Sequence, residues 1–246
     1  NRKGIGEIME QHIVIGIEGL VGSGKTTMAR ELLKYIPNSI LLHGGNIYRA
    51  VVFALLNSGV HLEDLASKTK NLDSFEILKK FHLSIQLEDR ETVIYWNGKK
   101  IAEEDLQSEA SSLGVSQMSQ VADNQKLYEF GKSIIDQFKK DYSIILSSRD
   151  IIKMYPDVDY HFFITASLEE RTRRKCIQYT KKMENKEQEE FERSIRENIE
   201  KRDELQEKAG YYKIYDQTIV IDVTKDASPQ ESAKKIMSHI KMPSVR

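Results

Sequence analysis

The stretch Gly19-Leu20-Val21-Gly22-Ser23-Gly24-Lys25-Thr26-Thr27 matches the pattern G-x-x-x-x-G-K-T, and its flanks complete a strand–loop–helix unit. Residues 12–18, just before it, form an apolar run short enough for a buried strand. Apolar residues then recur at helical spacing between 28 and 36. This context predicts a phosphate-binding loop rather than a glycine turn without a ligand.

The chemistry of such a loop explains the residue types that it contains. Glycines let the backbone turn tightly around an anion and direct successive N–H groups inward. The helix that begins near Lys25 adds its own free N–H groups and the positive end of its dipole. We therefore expect Lys25 to reach the β- and γ-phosphates of a nucleotide and the Thr26 hydroxyl to bind Mg²⁺. ATP and Mg²⁺ are the predicted cofactors.

Composition and charge narrow the classes of protein and partner. The chain has 246 residues, of which 39% are hydrophobic and 30% charged, and its formal net charge is −1. A balanced charge argues against a nucleic acid polymer or an acidic membrane as a partner, and no window has the apolar length of a membrane span. The single cysteine, Cys176, suits a reducing compartment, so we expect a cytoplasmic protein. The scattered histidines do not predict a metal site built by the protein alone.

Short apolar runs alternate with helical patterns along the chain. The expected strands are 12–18, 38–42, 143–146, 161–164 and 218–221. This alternation predicts an α/β fold with a doubly wound, five-stranded parallel sheet flanked by helices. We expect one domain over residues 12–246, preceded by a loose arm over residues 1–11 that lacks the apolar segment of a signal peptide.

Other stretches predict where individual helices begin and where a hairpin is inserted between the strands of the sheet. Asn46 is expected to cap a helix over 47–57, and Ser167 with Glu170 to form a capping box at the start of another helix. Further helices are expected over 103–112, 116–141, 187–208 and 228–241. Residues 82–87 and 92–96 alternate between apolar and polar, and an Asn97–Gly98 turn follows. They predict a hairpin within an insertion over about 59–112, forming a subdomain beside the main sheet.

Basic residues lie at the positions where open α/β sheets bind ligands, beyond the carboxyl ends of the strands. Arg49 lies early in the helix after the second strand, and Arg149 with Asp150 directly follows the third. After the fourth strand, Arg171 and Arg174 share one helix face. Neighbouring cations repel unless an anion lies between them, so this cluster favours a bound phosphate over plain surface charge.

Taken in order, these stretches resemble cytidylate kinases, a family of nucleoside monophosphate kinases. The likeness runs from about Ile13 to Ile240. The stretches that carry it are the glycine loop, residues 42–49, Asn97–Gly98, Arg149–Asp150, residues 155–159, residues 164–174 and Arg202–Asp203. The resemblance implies transfer of the γ-phosphoryl group of ATP to CMP or dCMP, so the expected partners are small-molecule substrates, ATP and a nucleoside monophosphate or similar acceptor. It also implies that the hairpin insertion is a monophosphate-binding subdomain and that residues of about 167–190 form a helical lid.

The same resemblance implies roles for individual residues. Residues expected to hold ATP are Gly19, Val21, Gly22, Ser23, Gly24, Lys25, Thr26 and Thr27. Residues expected to hold the acceptor are Gly44, Tyr48, Arg49, Arg149, Asp150 and Arg202. The expected catalytic residues are Lys25, Arg149, Asp150, Arg171 and Arg174. Thr26 is the expected Mg²⁺ ligand, with Glu18 in the outer shell.

The chain departs from the family pattern on the acceptor side. His43-Gly44 replaces an Asp-Ser pair, Ser147-Ser148 replaces Asp-Gly, and Gln107 replaces an arginine. Gln206 and Ala209 stand where an acid and an arginine are expected. Two alternatives therefore stay open. One is a kinase for another small acceptor, with Asp150 as base if that acceptor is an alcohol; the other is an ATP-binding sensor without transfer activity.

Overall fold

A computed structural model describes residues 12–69, 74–108, 110–111, 114–115, 125–179 and 185–241, so the predicted arm over residues 1–11 lies outside it. The strands are β1 Val14–Gly19, β2 Ser39–His43, β3 Leu83–Glu88, β4 Glu91–Trp96, β5 Lys99–Lys100, β6 Ser143–Ser147, β7 Tyr160–Thr165 and β8 Thr218–Asp222. The helices are α1 Lys25–Leu32, α2 Gly44–Asn57, α3 Leu65–Thr69, α4 Ser74–Lys80, α5 Glu103–Leu106, α6 Gln125–Lys139, α7 Ile151–Met154, α8 Leu168–Tyr179, α9 Asn185–Lys208 and α10 Pro229–Met237. In these described residues, no helix has the length and apolarity to cross a membrane.

All strands belong to one sheet, whose order is β3-β4-β2-β6-β1-β7-β8, with β5 paired to β4. The five strands from β2 to β8 in this order are mutually parallel, which confirms the predicted α/β fold. The three inner strands β6, β1 and β7 are mostly apolar because both faces of the sheet are buried there, whereas β8 at the edge is partly exposed. Val14, Ile40 and Ile144 pack in one core, and Ile15, Leu41 and Ile145 pack in the other.

The predicted hairpin is present, and it continues the main sheet where the sequence predicted a subdomain beside it. Leu41 of β2 pairs with Glu91 of β4 in parallel. The Asn97–Gly98 turn has φ angles of 50° and 74°, as a tight hairpin turn requires. The β3–β4 turn is formed by Asp89 and Arg90, and it is tighter than predicted because both residues take a positive φ, which is 68° at Arg90. The Arg90 guanidinium donates to the carbonyl oxygens of Ser39 and Ile36, at 2.8 and 3.1 Å, which fixes the hairpin to β2.

Several helix boundaries differ from the sequence prediction. The helix α2 begins at Gly44, directly after β2, and Asn46 does not cap it; the Asn46 amide instead donates to Glu103. The helix α5 ends at Leu106, well before residue 112. The described part of the helix predicted over 116–141 is α6, and residues 116–124 lie outside the description.

Half of the predicted capping box forms at the start of α8. The N–H of Glu170 donates to Ser167 Oγ at 3.2 Å. The Glu170 carboxylate does not return to the Ser167 N–H, which instead donates to Thr224 Oγ1 at 2.9 Å. Two arginines of the same helix bind this carboxylate. The ion pairs displaced the reciprocal cap because a carboxylate gains more from guanidinium donors than from one neutral N–H.

Candidate active site

The glycine loop joins β1 to α1 at the carboxyl edge of the sheet. Gly19, Gly22 and Gly24 have φ angles of 148°, 77° and 92°, a region that other residues rarely adopt. At Gly19 the space is also closed, since a Cβ there would lie 2.2 Å from the Ile164 carbonyl oxygen on β7. The loop conformation therefore depends on glycine both for its dihedral angles and for its contact with the neighbouring strand.

The loop presents its donors at the start of α1. The Leu20 N–H donates to the Ile164 carbonyl on β7. Within the loop, the Ser23 N–H donates to the Leu20 carbonyl. Lys25 and Thr26 are the first residues of α1, so their N–H groups have no carbonyl of the same helix to bind. Thr26 and Thr27 are exposed, whereas Ser23 is buried and its hydroxyl has no partner among the described residues. This arrangement is suited to an anion.

Lys25 lies inside the curve of the loop. Its Nζ donates to the carbonyl oxygens of Gly19 and Leu20, both at 2.8 Å. Burial, as the largest cause, and the positive charges of Arg149 and Arg202 together lower the pKa of Lys25 to about 7. Lys25 is thus a cation held among other cations, which is the electrostatic signature of a site built for a strongly negative ligand.

The structure brings together the acceptor-side arginines predicted from the sequence. Burial lowers the pKa of Arg49 to about 10, and the nearby charges of Arg149 and Arg202 add to the effect. Burial likewise lowers the pKa of Arg149, and Arg202 contributes again. Part of Arg149 is nevertheless exposed to solvent, at the carboxyl edge of the sheet where we place the substrate cleft. Arg149 and Arg202 therefore lie close enough to Lys25 and Arg49 for their charges to act on both, so cations from four segments form one group.

Asp150 and Tyr48 occupy different positions around this cleft. Asp150 has a φ of 56° before α7, and its carboxylate accepts the Tyr128 hydroxyl at 2.6 Å. This bond and burial raise the pKa of Tyr128, burial being the larger cause. Tyr48 donates its hydroxyl to the Leu127 carbonyl at 2.9 Å. Tyr48 thus joins α2 to α6, and its predicted contact with the acceptor stays a prediction.

The residues that depart from the family pattern differ in what they contact. Gln107 accepts a hydrogen bond from Arg49 at 2.8 Å and donates to Glu103 at 2.9 Å. The Gln107 amide therefore orients Arg49, and this amide stands at the position where the family pattern has an arginine. His43 contacts the Glu91 carboxylate through Nε2 at 2.9 Å. Gln206 has a buried Oε1 without a hydrogen-bond partner in the described part of the chain.

Gly44 is in direct contact with Ser148. A Cβ on Gly44 would lie 2.6 Å from Ser148 Oγ and 2.8 Å from Ser148 Cβ. Ser148 follows β6 and Gly44 follows β2, and these two strands are neighbours in the sheet. The start of α2 can therefore approach the end of β6 only because residue 44 has no side chain.

Glu18 binds protein groups at the end of β1, and its place in the outer shell of Mg²⁺ stays a prediction. Its Oε1 accepts the N–H of Ile151 at 2.5 Å and lies 3.3 Å from His161 Nε2. The side chain is buried, and it ties the end of β1 to the start of α7. Since α7 directly follows Arg149 and Asp150, Glu18 fixes the backbone that presents them to the cleft.

The two arginines of α8 bind protein groups in this structure. Arg171 is buried and donates to the carbonyl oxygens of Ala166 and Val21 and to the Asp203 carboxylate. Arg174 donates to Glu170 and to the Val223 carbonyl, both at 2.7 Å. The sequence predicted that an anion lies beside Arg171 and Arg174. In the structure the carboxylates of Asp203 and Glu170 fill part of that role, and α8 packs against the loop. The lid role of residues 167–190 stays a prediction, and residues 180–184 lie outside the description.

Sequence reasoning missed two adjacent tyrosines that line this region. Tyr211 faces Arg149, whose guanidinium carbon lies 5.6 Å from the ring centroid. Tyr212 donates its hydroxyl to Asp203 at 2.5 Å. Both follow the long charged helix α9 and belong to no motif that predicts a phosphate site. Tyr212 lies nine positions after its partner Asp203, and this closeness to Arg202–Asp203 was the available signal.

The donor groups present fit a magnesium ion that arrives with a nucleotide. In the described residues, no group of histidine, cysteine, aspartate and glutamate side chains is arranged to hold a metal. The exposed Thr26 hydroxyl is a single oxygen donor at the start of α1. Mg²⁺ commonly takes one or two protein ligands and completes its shell with phosphate oxygens and water, so this sparse set is compatible with it.

A parallel sheet, a glycine loop at its carboxyl edge and a converging set of cations define the protein class as a nucleotide kinase with a phosphate-binding loop. Residues 15–242 match the family model described as cytidylate kinase. The chain belongs to the cytidylate kinase family, and it is an ATP-dependent nucleotide kinase.

Curated relatives are similar over most of their length. The chain is 32% identical to the cytidylate kinase of Fervidobacterium nodosum over 231 residues, which cover 94% of this chain and 97% of the relative. It is 30% identical to that of Shouchella clausii over 192 residues, covering 78% and 79%. It is 28% identical to that of Caldanaerobacter subterraneus over 232 residues, covering 93% and 95%.

Proposed function

We propose that this kinase transfers the γ-phosphoryl group of ATP to CMP or dCMP. The observation that carries the proposal is the group of cations formed by Lys25, Arg49, Arg149 and Arg202. Transfer between two phosphates requires that both anions are aligned and their charges neutralised, with little covalent help from the protein. Cations drawn from four segments of the chain meet that requirement. The cytidylate kinases among the relatives favour a cytidine acceptor.

In the proposed mechanism the loop amides and Lys25 hold the phosphates of ATP, and Thr26 provides a ligand for Mg²⁺. The ion would neutralise part of the phosphate charge. Arg49, Arg149 and Arg202 hold the acceptor phosphate, and Arg171 and Arg174 add positive charge behind the loop. An oxygen of the acceptor phosphate bonds to the γ-phosphorus while the bond to the β–γ bridging oxygen breaks, so ADP leaves with that electron pair. The attacking oxygen is already ionised, so no general base is needed.

The acceptor is best identified with purified protein, Mg-ATP and a panel of CMP, dCMP, UMP, AMP and small alcohols, with the products separated by ion-exchange chromatography. Turnover of CMP or dCMP far above UMP and AMP is the expected result. Turnover of an alcohol alone would replace the proposal with a kinase in which Asp150 is the base. Tight ATP binding without any acceptor-dependent ADP release would replace it with a nucleotide sensor.

Substitution of Arg149 by alanine should affect one substrate selectively. We expect the acceptor KM to rise by about 10- to 100-fold, since a charge-assisted contact to phosphate contributes about 1.5–3 kcal/mol. The KM for ATP should change less than about twofold. Arg193→Ala, an exposed arginine on α9, is the matched control and should leave both constants unchanged. Equal losses for both substrates in steady-state kinetics would refute the assignment of Arg149 to the acceptor.

The lowered pKa of Lys25 predicts that ATP binding takes up a proton. With a pKa of about 7, Lys25 is mostly neutral at pH 8 in the free protein, and a neighbouring polyphosphate stabilises its charged form. At pH 8 we expect uptake close to one proton, and little uptake at pH 6, where Lys25 is already charged. Calorimetry in buffers of different ionisation enthalpy measures this uptake. Lys25→Met should abolish it; unchanged uptake in that variant would assign the proton to another group.

A further inference from the structure

The loop is held from outside by groups on α9 and in the segment that follows it. The Val21 N–H donates to Asp203 Oδ1 at 3.1 Å and to the Tyr212 hydroxyl oxygen at 3.2 Å. The Val21 carbonyl accepts from Arg171 at 2.9 Å. Asp203 also binds Arg171 directly, and Tyr212 donates to the same carboxylate. Both polar groups of Val21 are therefore fixed by side chains that lie more than 100 residues away in sequence.

These contacts decide which way the next donor points. In a trans peptide the carbonyl and the following N–H point in opposite directions. Arg171 binds the Val21 carbonyl on the outer side of the loop, so the N–H of Gly22 is directed to the inner side. Gly22 permits this with its φ of 77°. An outward carbonyl and an inward N–H are the arrangement that a phosphate requires of such a loop.

We propose that Asp203 is a positioning residue for the ATP phosphates. It acts through Val21 and Arg171, and Tyr212 orients its carboxylate. A guanidinium buried beside the loop keeps a fixed direction only while its carboxylate partner is present. The proposal rests on ATP as the donor in the proposed function, but it does not depend on which acceptor is used.

The neighbouring residue Arg202 serves as an internal comparison. Its charge acts on Lys25 and also on Arg49 and Arg149, the two arginines proposed to hold the acceptor phosphate. The Asp203 charge acts on Lys25, and its carboxylate accepts the Val21 N–H of the loop. Of these two consecutive residues, Asp203 is thus the one bound directly to the loop. This arrangement predicts opposite kinetic effects for their substitutions, which a general loss of helix stability would not produce.

The test compares Asp203→Asn with Arg202→Gln in the full chain. Direct titration with a fluorescent ATP analogue measures donor affinity without any acceptor, and steady-state kinetics measure both KM values. For Asp203→Asn we expect at least about a tenfold loss of ATP affinity and less than a twofold change in acceptor KM. Arg202→Gln should show the reverse. Tyr212→Phe keeps the ring and removes the hydroxyl, so it should weaken ATP binding by about threefold, and it provides the test if Asp203→Asn does not fold.

The outcomes separate this inference from the proposed function. Unchanged or tighter ATP binding by a folded Asp203→Asn protein would overturn the positioning role, as would equal losses for both substrates. If Asp203→Asn does not fold, unchanged ATP binding by Tyr212→Phe would overturn it. Failure of the unaltered protein to bind ATP would overturn both proposals. Binding of ATP without turnover of CMP would overturn the acceptor assignment alone, and the role of Asp203 would stand.

Discussion

Substitution of Lys25 by alanine is expected to lower kcat by about 10³-fold, or below detection. Lys25 is the cation inside the curve of the loop, and its Nζ lies 2.8 Å from two loop carbonyl oxygens. In the proposed mechanism this amine moves to the phosphates and neutralises charge that grows during transfer. Removal of one such preorganised donor costs about 10²–10³ in rate, and the loss of a full charge lies at the upper end. A coupled assay of ADP release with the preferred acceptor measures it.

The matched control for this variant is Lys34→Ala. Lys34 follows α1, and its exposed amine pairs with Glu31 at 2.7 Å. A surface ion pair contributes little to stability, so activity should stay within about twofold of the unaltered protein. Both variants should unfold at similar temperatures. Activity within tenfold of normal in Lys25→Ala would remove Lys25 from the catalytic group.

Substitution of Gly19 by alanine should produce the largest loss of stability. The added methyl would lie 2.2 Å from the Ile164 carbonyl oxygen and 2.7 Å from the Ile164 nitrogen, and both belong to the backbone of β7, which lies between β1 and β8. Neither atom can rotate away as a side chain would. A φ of 148° adds backbone strain for any residue except glycine. We expect the free energy of unfolding to fall by about 3 kcal/mol or more, measured by urea denaturation.

Gly45→Ala tests whether the effect belongs to the site of the methyl rather than to glycine replacement in general. Gly45 lies in the first turn of α2, and a Cβ there would meet no atom within 4 Å. Alanine is also the better helix former, so stability should stay the same or rise by about 0.5–1 kcal/mol. A similar destabilisation in both variants would contradict the steric explanation.

The sheet was predictable because its signals are local. Apolar runs long enough for one strand, separated by helical patterns, identified all five parallel strands, with small shifts at their ends. The Asn97–Gly98 turn was likewise readable because its residue types favour positive φ. The Asp89–Arg90 turn could not be predicted in this way, since arginine rarely adopts a positive φ. Arg90 does so here because its guanidinium binds Ser39, a residue about 50 positions away.

The candidate site was predictable as a set of charges but not as a set of contacts. Lys25, Arg49 and Arg149 follow strands, so the sheet order places them at one edge. Nothing local showed that Glu18 binds the N–H of Ile151, or that Asp203 binds Val21 across 182 positions in the chain. Arg171 shows the difference between the two. Its sequence position predicted a cation near phosphate, but in the structure its side chain is buried and binds protein groups.

The contact between Gly44 and Ser148 makes the residue types at these two positions depend on each other. The usual family pattern places a serine at the first position and a glycine at the second, and this chain has the reverse. Serine at both positions would bring side-chain carbons to within 2.8 Å of each other, whereas glycine at both leaves room. In this fold a side chain at residue 44 is therefore compatible with glycine at residue 148 but not with serine there.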